Sequence, residues 1–482
     1  MTSFPTHRVA ALICCALAIW FGTGRAEQLR KVTRLYVEPF ATKTGAEELR
    51  NDLIAELRKS GTFSLADSES SADAILGGGG EIWVKGYRSL NPRSGRLPSD
   101  GTPLYAGYLS VELKDPRGET LWSYLLTPGS AAADVSKDLS KRIAKMVAGV
   151  LEHLPETPPA SSLPQASTVL KAAGATFPYP LYVKWFANYR RQNPNLEIVY
   201  DAIGSEAGVR KLLAGAVDFG ASDNPAAIHE LSAIDDGKYL FFPSVIGAVV
   251  PIVNLPGFAG AIAFTPEALA GIYSGKIKKW NDPVLAQANR GLHLPDLDIT
   301  VVHRSDGSGT SYAFTDYLSK VSAEWKTKTG SSLSPAWPTG RAATGNDGVS
   351  KLVKEIGGSI GYVEFIYALQ NHLSFGSVQN RRGEFVAASL KSMAAAANEV
   401  TEASQNLTMS LVNPAGMGAY PIASYTWFVM PAQIPDGQKR IAITEFLKWM
   451  LGPGQTQAAA LGYLSLPKTI IEQELIALQK IR

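Results

Sequence analysis

The sequence predicts an α/β fold for the larger, C-terminal part of the chain. Three short strand-like segments there are each followed by a helix-like segment, and small or polar residues lie where one hands over to the other. Gly174 and Thr176 lie at the first junction, Gly204 and Ser205 lie at the second, and Asp223 follows the third strand. In open α/β sheets, ligands bind at the carboxyl ends of the strands. We therefore expect these residues at the binding edge of a sheet.

A segment that begins at Arg304 has the composition of an anion-binding turn. Arg304 offers a planar fork of donors that matches two oxygens of an oxyanion. Gly307 and Gly309 let the backbone come close and present N–H groups, while Ser308 and Thr310 add hydroxyl donors. The helix that follows leaves N–H groups unpaired at the positive end of its dipole. The same segment is also consistent with an ordinary Gly-Ser turn that caps a helix.

Taken together, these segments resemble the periplasmic phosphate-binding protein of the high-affinity phosphate ABC transporter. The shared motifs occur in that family's order and spacing from about Leu170 onward. They are Ala173-Gly174-Ala175-Thr176-Phe177, Asp218-Phe219-Gly220-Ala221-Ser222-Asp223, Gly271-Ile272-Tyr273-Ser274-Gly275-Lys276-Ile277-Lys278-Lys279-Trp280, Arg304-Ser305-Asp306-Gly307-Ser308-Gly309-Thr310, Gly345-Asn346-Asp347-Gly348-Val349 and Gly358-Ser359-Ile360-Gly361-Tyr362-Val363-Glu364. The resemblance implies a two-lobed periplasmic-binding-protein fold, the type II Venus flytrap. Lobe 1 is expected near 168–250 and 420–482, and lobe 2 near 251–419.

The resemblance also implies which residues bind phosphate. They are Thr176, Phe177, Ser205, Asp223, Arg304, Ser308, Gly309 and Thr310. Asp306 is expected to orient Arg304 from behind. No metal or other cofactor is implied, so hydrogen bonds alone would hold the ion.

Asp223 is the residue expected to select phosphate over sulfate. An ionised carboxylate only accepts hydrogen bonds, and phosphate near neutral pH carries a proton to donate, whereas sulfate does not. A site built around a donor on its ligand can reject an analogue that lacks it by roughly four to five orders of magnitude. The alternative is that Asp223 caps a helix or closes a turn.

One residue departs from the family pattern. Glu206 follows Ser205, where the family usually has a small residue or glycine. A carboxylate that faced the cleft would repel a dianion. Alternatively, Glu206 lies in the first turn of a helix capped by Ser205, where an acid suits the helix dipole, and points to solvent.

The first 26 residues have the features of a cleaved signal peptide. His7 and Arg8 precede an apolar run from Val9 to Phe21, and Gly24-Arg25-Ala26 suits cleavage. The run is too short for a comfortable membrane span. Both cysteines lie within it, so the mature protein would hold no disulfide. We therefore expect a periplasmic or otherwise exported protein.

Residues 27–154 precede the recognised module and are not typical of the family. Their pattern predicts a small α+β domain of order β-α-β-β-β-β-α, with a first strand at Val32–Val37, a short strand at Ala74–Leu76 and a last helix at 133–154. A proline-rich segment, 155–167, is typical of a semi-rigid linker. No motif assigns a function to this domain.

Enzyme and nucleic-acid functions find little support. The segment Gly357–Gly361 matches a nucleophile elbow, but the strand-like run Ile360–Ile366 follows its serine instead of preceding it. The histidines lack metal-ligand spacing. A net charge of +3 over 482 residues, without a basic stripe, argues against a nucleic-acid partner.

We expect an extracytoplasmic substrate-binding protein that captures inorganic phosphate and delivers it to the membrane subunits of an ABC permease. The alternative is a phosphate-responsive envelope sensor or surface interaction protein that uses the same anion site. In that case, the N-terminal domain would attach it to an envelope partner.

Overall fold

The computed structural model describes most of the chain beyond its first residues. The described residues are 32–40, 43–61, 63–88, 102–116, 118, 120–128, 134–151, 168–224, 238–256, 258, 261–401 and 410–482. The predicted signal peptide (1–26) and the predicted linker (155–167) lie outside them. Within the described ranges, no helix is both long enough and apolar enough to cross a membrane.

The described residues up to 151 form a small α+β domain in the element order that the sequence predicted. Its elements are β1 Arg34–Val37, α1 Ala46–Lys59, β2 Ser64–Leu65, β3 Ala74–Arg88, β4 Thr102–Lys114, β5 Thr120–Leu126 and α2 Val135–Leu151. The strands form a sheet of order β2-β1-β3-β4-β5. Leu49, Leu53 and Leu57 recur on one face of α1 and are fully buried in an apolar core shared with α2.

The described residues from Thr168 onward form an α/β unit. Its strands are β6 Thr168–Gly174, β7 Leu196–Ala202, β8 Phe219–Ser222, β9 Tyr239–Asn254, β10 Ala263–Phe264, β11 Thr300–Arg304, β12 Arg341–Ala343, β13 Ser359–Glu364, β14 Ser374–Phe375, β15 Ser377–Gln379, β16 Phe385–Val386 and β17 Ala423–Pro431. Its α-helices are α3 Tyr179–Gln192, α4 Ser205–Leu213, α5 Pro266–Tyr273, α6 Pro283–Ala288, α7 Gly309–Val321, α8 Ala323–Lys328, α9 Gly345–Glu355, α10 Phe365–Gln370, α11 Leu390–Thr401, α12 Gly437–Leu451 and α13 Lys468–Ala477. The main sheet has the order β12-β11-β13-β9-β17-β8-β6-β7, and β14 also pairs with β9.

Strand β9 runs through both lobes of this sheet. As far as Ala248 it pairs antiparallel with β17, and from Val249 to Asn254 it pairs antiparallel with β13. Strands β6, β7 and β8 extend the sheet beyond β17, and β11 and β12 extend it beyond β13. Most of β9 is buried, which is why its sequence is almost continuously apolar. The change of partner at 248–249 lies beside the expected lobe boundary at 250.

Two local predictions are corrected by the structure. The strand expected at Ile360–Ile366 ends at Glu364, because the carboxylate of Glu364 accepts a hydrogen bond from the N–H of Ile366 at 2.8 Å and so caps α10. The helix expected to be capped by Ser205 begins at Ser205 itself. Gly204 holds the cap position with a φ of 95°, which favours glycine.

Candidate anion-binding site

Lobe 1 places four of the predicted binding residues at the carboxyl ends of its parallel strands. Thr176 and Phe177 follow β6, Ser205 opens α4 after β7, and Asp223 follows β8. Because β6 pairs in parallel with both β7 and β8, these three strand ends lie side by side. Phe177 and Ser205 are fully buried, and only 1% of Asp223 is exposed. The ring of Phe177 packs beside Gly247, and its carbonyl oxygen accepts a hydrogen bond from the hydroxyl of Tyr463 at 2.6 Å.

Lobe 2 places the other four at the carboxyl end of β11. Arg304 is the last residue of that strand. Ser308 caps α7, since its Oγ accepts a hydrogen bond from the N–H of Ser311 at 3.1 Å. Gly309 and Thr310 form the first turn of α7, where unpaired N–H groups carry the positive end of the helix dipole. All four predicted residues are buried.

A buried ion pair fixes the guanidinium of Arg304. Its Nε donates to Oδ1 of Asp306 at 2.8 Å, and its Nη2 donates to Oδ2 of the same carboxylate. The N–H of Gly345 donates to the same Oδ1 at 3.0 Å. Nη1 lies 3.4 Å from Oγ1 of Thr310, so one edge of the guanidinium holds Asp306 and the other faces the binding residues. Burial alone would raise the pKa of Asp306, but the hydrogen bonds and charge of Arg304 keep it below its ordinary value.

The two groups of residues meet across the cleft between the lobes. A Cβ atom added to Gly309 would lie 2.5 Å from Cβ of Asp223 and 2.6 Å from Oγ of Ser205. Similarly, a Cβ atom added to Gly204 would lie 2.7 Å from Oδ2 of Asp306. Such distances are shorter than any ordinary contact between heavy atoms. The structure is therefore a closed form, and glycine at both positions permits the approach.

The carboxyl group of Asp223 is held at the centre of this contact. Oδ1 accepts a hydrogen bond from Oγ1 of Thr426 at 2.5 Å, and Oδ2 lies on the side of Gly309. Burial raises the pKa of Asp223 to about 7, although the hydrogen bond from Thr426 and the charge of Arg304 oppose the increase. The backbone N–H of Asp223 donates to Oγ of Ser205 at 3.3 Å.

Asn346 is a component of the site that the sequence did not single out. It is fully buried, and its Nδ2 donates to Oγ1 of Thr176 at 3.0 Å and to Oγ1 of Thr310 at 3.4 Å. Its Oδ1 accepts from the N–H of Glu364 at 3.0 Å, which fixes the amide orientation. Because both hydroxyl oxygens accept from Asn346, their own hydrogens are directed elsewhere. The motif that contains Asn346 was recognised in the sequence, but nothing in it marked the amide as part of the site.

Thr426 is the second such component. It lies in β17, whose residues from Ala423 to Met430 are all buried. Besides its bond to Asp223, its backbone oxygen accepts from Oγ of Ser244, which is itself paired with the hydroxyl of Tyr182 at 2.7 Å. These buried hydroxyl groups hold Thr426 in place, and Thr426 in turn holds Oδ1 of Asp223, the carboxyl oxygen that faces away from lobe 2.

Glu206 connects the lobes instead of pointing freely to solvent. Its N–H donates to the carbonyl oxygen of Gly307 at 3.1 Å. Its carboxylate is paired with Arg210 one turn along α4 and accepts a hydrogen bond from Oγ of Ser334 at 2.9 Å. The side chain of Glu206 is 30% exposed. The carboxylate is therefore occupied by Arg210 and by lobe 2.

Similar proteins are found in both sequence and structure comparisons. A family model described as the PBP superfamily domain matches residues 159–453. The phosphate-binding protein PstS of Xylella fastidiosa is 44% identical over 327 residues, which cover 67% of this chain and 89% of that protein. The phosphate-binding protein PstS of Pasteurella multocida is 43% identical over 311 residues, covering 64% and 89% respectively.

Solved structures agree with the predicted fold class. A high-affinity periplasmic phosphate-binding protein (PfluDING) bound with phosphate matches with a TM-score of 0.52 and 21% identity, over 63% of this chain and 92% of that one. A human phosphate binding apolipoprotein matches with a TM-score of 0.50 and 21% identity, over 63% and 93%. At such identities the likeness concerns the fold. The chain therefore belongs to the PBP superfamily and, within it, to the family of the phosphate-binding proteins PstS.

Proposed function

We propose that this protein captures inorganic phosphate in the closed cleft between its lobes and delivers it to an ABC permease. The observation that carries this proposal is the meeting of a buried acid, Asp223, with a buried arginine, Arg304, and the amino end of α7. The names of its relatives support the same ligand.

The donors would come from both lobes. Arg304 presents Nη1, α7 presents the N–H groups of its first turn, and the hydroxyls of Ser205, Ser308 and Thr310 add to these. Thr176 and the backbone of Phe177 would complete the set from lobe 1. Within lobe 2, Asp306 holds the guanidinium of Arg304 in position, which reduces the ordering cost of binding.

Asp223 would be the acceptor that distinguishes phosphate from sulfate. Thr426 occupies Oδ1, so Oδ2 is the oxygen available on the side of Gly309. A protonated phosphate oxygen can donate to it, whereas sulfate brings only lone pairs and negative charge. A mismatch of this kind is costly in a desolvated site, because it leaves buried charges unpaired.

We further infer that the protein acts outside the cytoplasmic membrane, after removal of residues 1–26, and that its partners are the membrane subunits of the permease. Its relatives are named as binding proteins, which favours binding without catalysis.

Calorimetric titration of the mature protein with phosphate, with and without excess sulfate, tests the proposal. We expect tight phosphate binding that sulfate leaves unchanged. The Asp223→Asn variant should bind phosphate more weakly and admit sulfate. Asp296→Asn is the matched control, since Asp296 is an exposed acid of lobe 2 paired with Lys279. Absence of phosphate binding by the unmodified protein would overturn the proposal.

A second experiment separates transport from the alternative role as an envelope sensor. A strain that carries Asp223→Asn should lose high-affinity phosphate uptake if the protein serves a permease. Unchanged uptake together with an altered envelope phenotype would favour the sensor.

A further inference from the structure

The N-terminal domain is bonded directly to lobe 1. Oγ of Ser110 in β4 donates to the carbonyl oxygen of Ala460 at 2.7 Å. Oγ of Ser123 in β5 donates to that of Thr456 at 2.5 Å, and Oγ1 of Thr456 donates back to the carbonyl oxygen of Thr120 at 3.1 Å. An ion pair between Glu112 and Lys184 of α3, at 3.0 Å, adds to this contact.

Apolar side chains of the same hairpin continue into the core of the binding module. Tyr108 and Leu125 are buried in the apolar cluster that contains β9 and β17, and Trp83 and Tyr124 pack against it. The N-terminal domain is therefore docked on the module, and lobe 1 provides its principal attachment.

A separate contact reaches past lobe 1. Nε2 of His372 lies 2.7 Å from Oε2 of Glu81 in β3, and its ring stacks on Trp83 with centroids 4.8 Å apart. Glu81 has only 8% of its side chain exposed and also pairs with Lys43 at 3.3 Å. The side chain of Lys43 in turn donates to the hydroxyl of Tyr108 at 2.9 Å. His372 is thus held by a partly buried group of charged and aromatic side chains.

His372 belongs to lobe 2. It follows α10 and precedes β14, which pairs with Ile252 and Val253 of β9. Those residues lie on the lobe 2 side of the change of partner at 248–249. The N-terminal domain therefore holds lobe 1 with one set of contacts and lobe 2 with another, and both sets exist together in the closed form.

We propose that the N-terminal domain acts as a brace. It contacts both lobes, on either side of the change of partner in β9 at 248–249, and thereby stabilises the closed form of the binding module. This inference rests on the proposed capture of phosphate and gives the additional domain a role in that function. An opening rotation would carry His372 away from Glu81 and Trp83 while the lobe 1 contacts stay in place. Contacts made in only one of two conformations shift the equilibrium toward it by their differential free energy. The brace should slow release of the bound anion and raise its affinity.

The test uses the full mature chain with His372→Asn. His372 has a φ of 57°, and asparagine tolerates this left-handed region better than most residues. The variant removes the stacking on Trp83 and the contact with Glu81 without straining the turn. Trp83→Leu removes the stacking from the other domain and serves as the second variant. His293→Asn, at an exposed histidine of lobe 2, is the matched control.

Two readouts are needed for each variant. We expect release of phosphate, followed by stopped flow, to be roughly two- to tenfold faster in His372→Asn, because the variant loses the stacking on Trp83 and the close contact with Glu81. Small-angle X-ray scattering of the ligand-free protein should show a larger radius of gyration in both variants and no change in His293→Asn.

The outcomes distinguish the brace from the phosphate proposal. If the unmodified protein binds no phosphate, the proposed function fails, and scattering of the ligand-free protein still decides whether the brace exists. If phosphate binds, but release rates and scattering of His372→Asn and Trp83→Leu equal those of the control, the brace proposal is overturned.

Discussion

At the scale of single residues, several polar groups of the candidate site have one atom or edge bonded to a buried partner and another atom or edge that faces the cleft. Asp223 gives one oxygen to Thr426, and Arg304 gives one edge to Asp306. Asn346 occupies an acceptor position on each of two threonine hydroxyls from opposite lobes. In each case a buried partner decides which atom remains for a ligand, so the supporting residues set the pattern of donors and acceptors.

Asn346 should therefore act through Thr176 and Thr310, not by contact with the anion. We expect Asn346→Ala to weaken phosphate binding about tenfold, since a net hydrogen bond contributes roughly 0.5–1.5 kcal/mol. Introduced into a Thr310→Val background, the same change should cost less than it does alone. Calorimetry of the two single variants and the double variant completes the cycle. Strictly additive losses would show that Asn346 does not work through this hydroxyl.

At the scale of elements, the cleft brings the amino ends of two helices from opposite lobes together. Helix α4 begins at Ser205 and α7 begins at Gly309, and the N–H of Glu206 donates to the carbonyl oxygen of Gly307 between them. Both helices direct the positive ends of their dipoles toward the cleft, which favours an anion there. Neither helix end can approach the other lobe if a side chain intervenes, so glycine at the contact is required by geometry.

Gly309→Ala should accordingly impair closure and leave folding intact. The added methyl group would lie 2.5 Å from Cβ of Asp223, and overpacking typically costs about 1–3 kcal/mol, or roughly 5- to 150-fold in affinity. The thermal midpoint of the ligand-free protein should not fall, because alanine favours a helix more than glycine does.

A matched control exists in lobe 1. Gly437 is the first residue of α12, and an added Cβ there would meet only the end of the Arg440 side chain, at 3.9 Å. Gly437→Ala should bind phosphate normally in the same titration. Normal binding by Gly309→Ala would show that the lobes close less tightly on phosphate than the structure indicates.

At the scale of the whole molecule, the fold buries titratable groups that water would otherwise stabilise. Burial raises the pKa of Asp223 to about 7 and raises the pKa of Glu364 and Glu474 well above their ordinary values. A group whose pKa is raised on folding contributes stability at low pH and loses that contribution as pH rises through the folded pKa. We therefore expect these side chains to make the free energy of unfolding of the ligand-free protein lower at pH 8 than at pH 5.

Comparison with Asp223→Asn isolates one of these groups. As pH rises from 4 to 8, the unfolding free energy of the unmodified protein should fall relative to that of the variant by up to about 4 kcal/mol. This follows because the pKa of an aspartate in an unfolded chain is about 3.9, and each pKa unit of difference corresponds to about 1.4 kcal/mol. Chemical denaturation in phosphate-free buffer measures it, with Asp296→Asn as control. Parallel curves for the unmodified protein and Asp223→Asn would contradict the expected burial of this carboxyl group.

The fold could be predicted where the signal is local. Leu49, Leu53 and Leu57 lie on one helical face, so α1 followed from periodicity alone. Strand β3 did not, because it was expected only as far as Leu76 and runs on to Arg88. Its run of glycines, Gly77–Gly80, is untypical of a strand, and pairing with β4 maintains it there.

The candidate site divides in the same way. Residues that follow parallel strands, such as Ser205 and Asp223, could be proposed because chain order alone places them at one edge of the sheet. Thr426 and Asn346 could not, since their roles depend on pairings between segments far apart in the chain. The docking of His372 on Glu81 was likewise beyond prediction, because neither residue belongs to a recognisable motif.

Strand β9 has a mechanical consequence for a molecule that opens and closes. Its residues up to Ala248 pair with β17 in lobe 1, and its residues from Val249 pair with β13 in lobe 2. Unfolding of either lobe would remove β9 from the sheet of the other, so we expect the two lobes to unfold together. A bend at the junction of Ala248 and Val249, where the two ladders meet, would leave the hydrogen bonds on either side in place. Opening and closing at this junction would therefore leave the stability of each lobe unchanged.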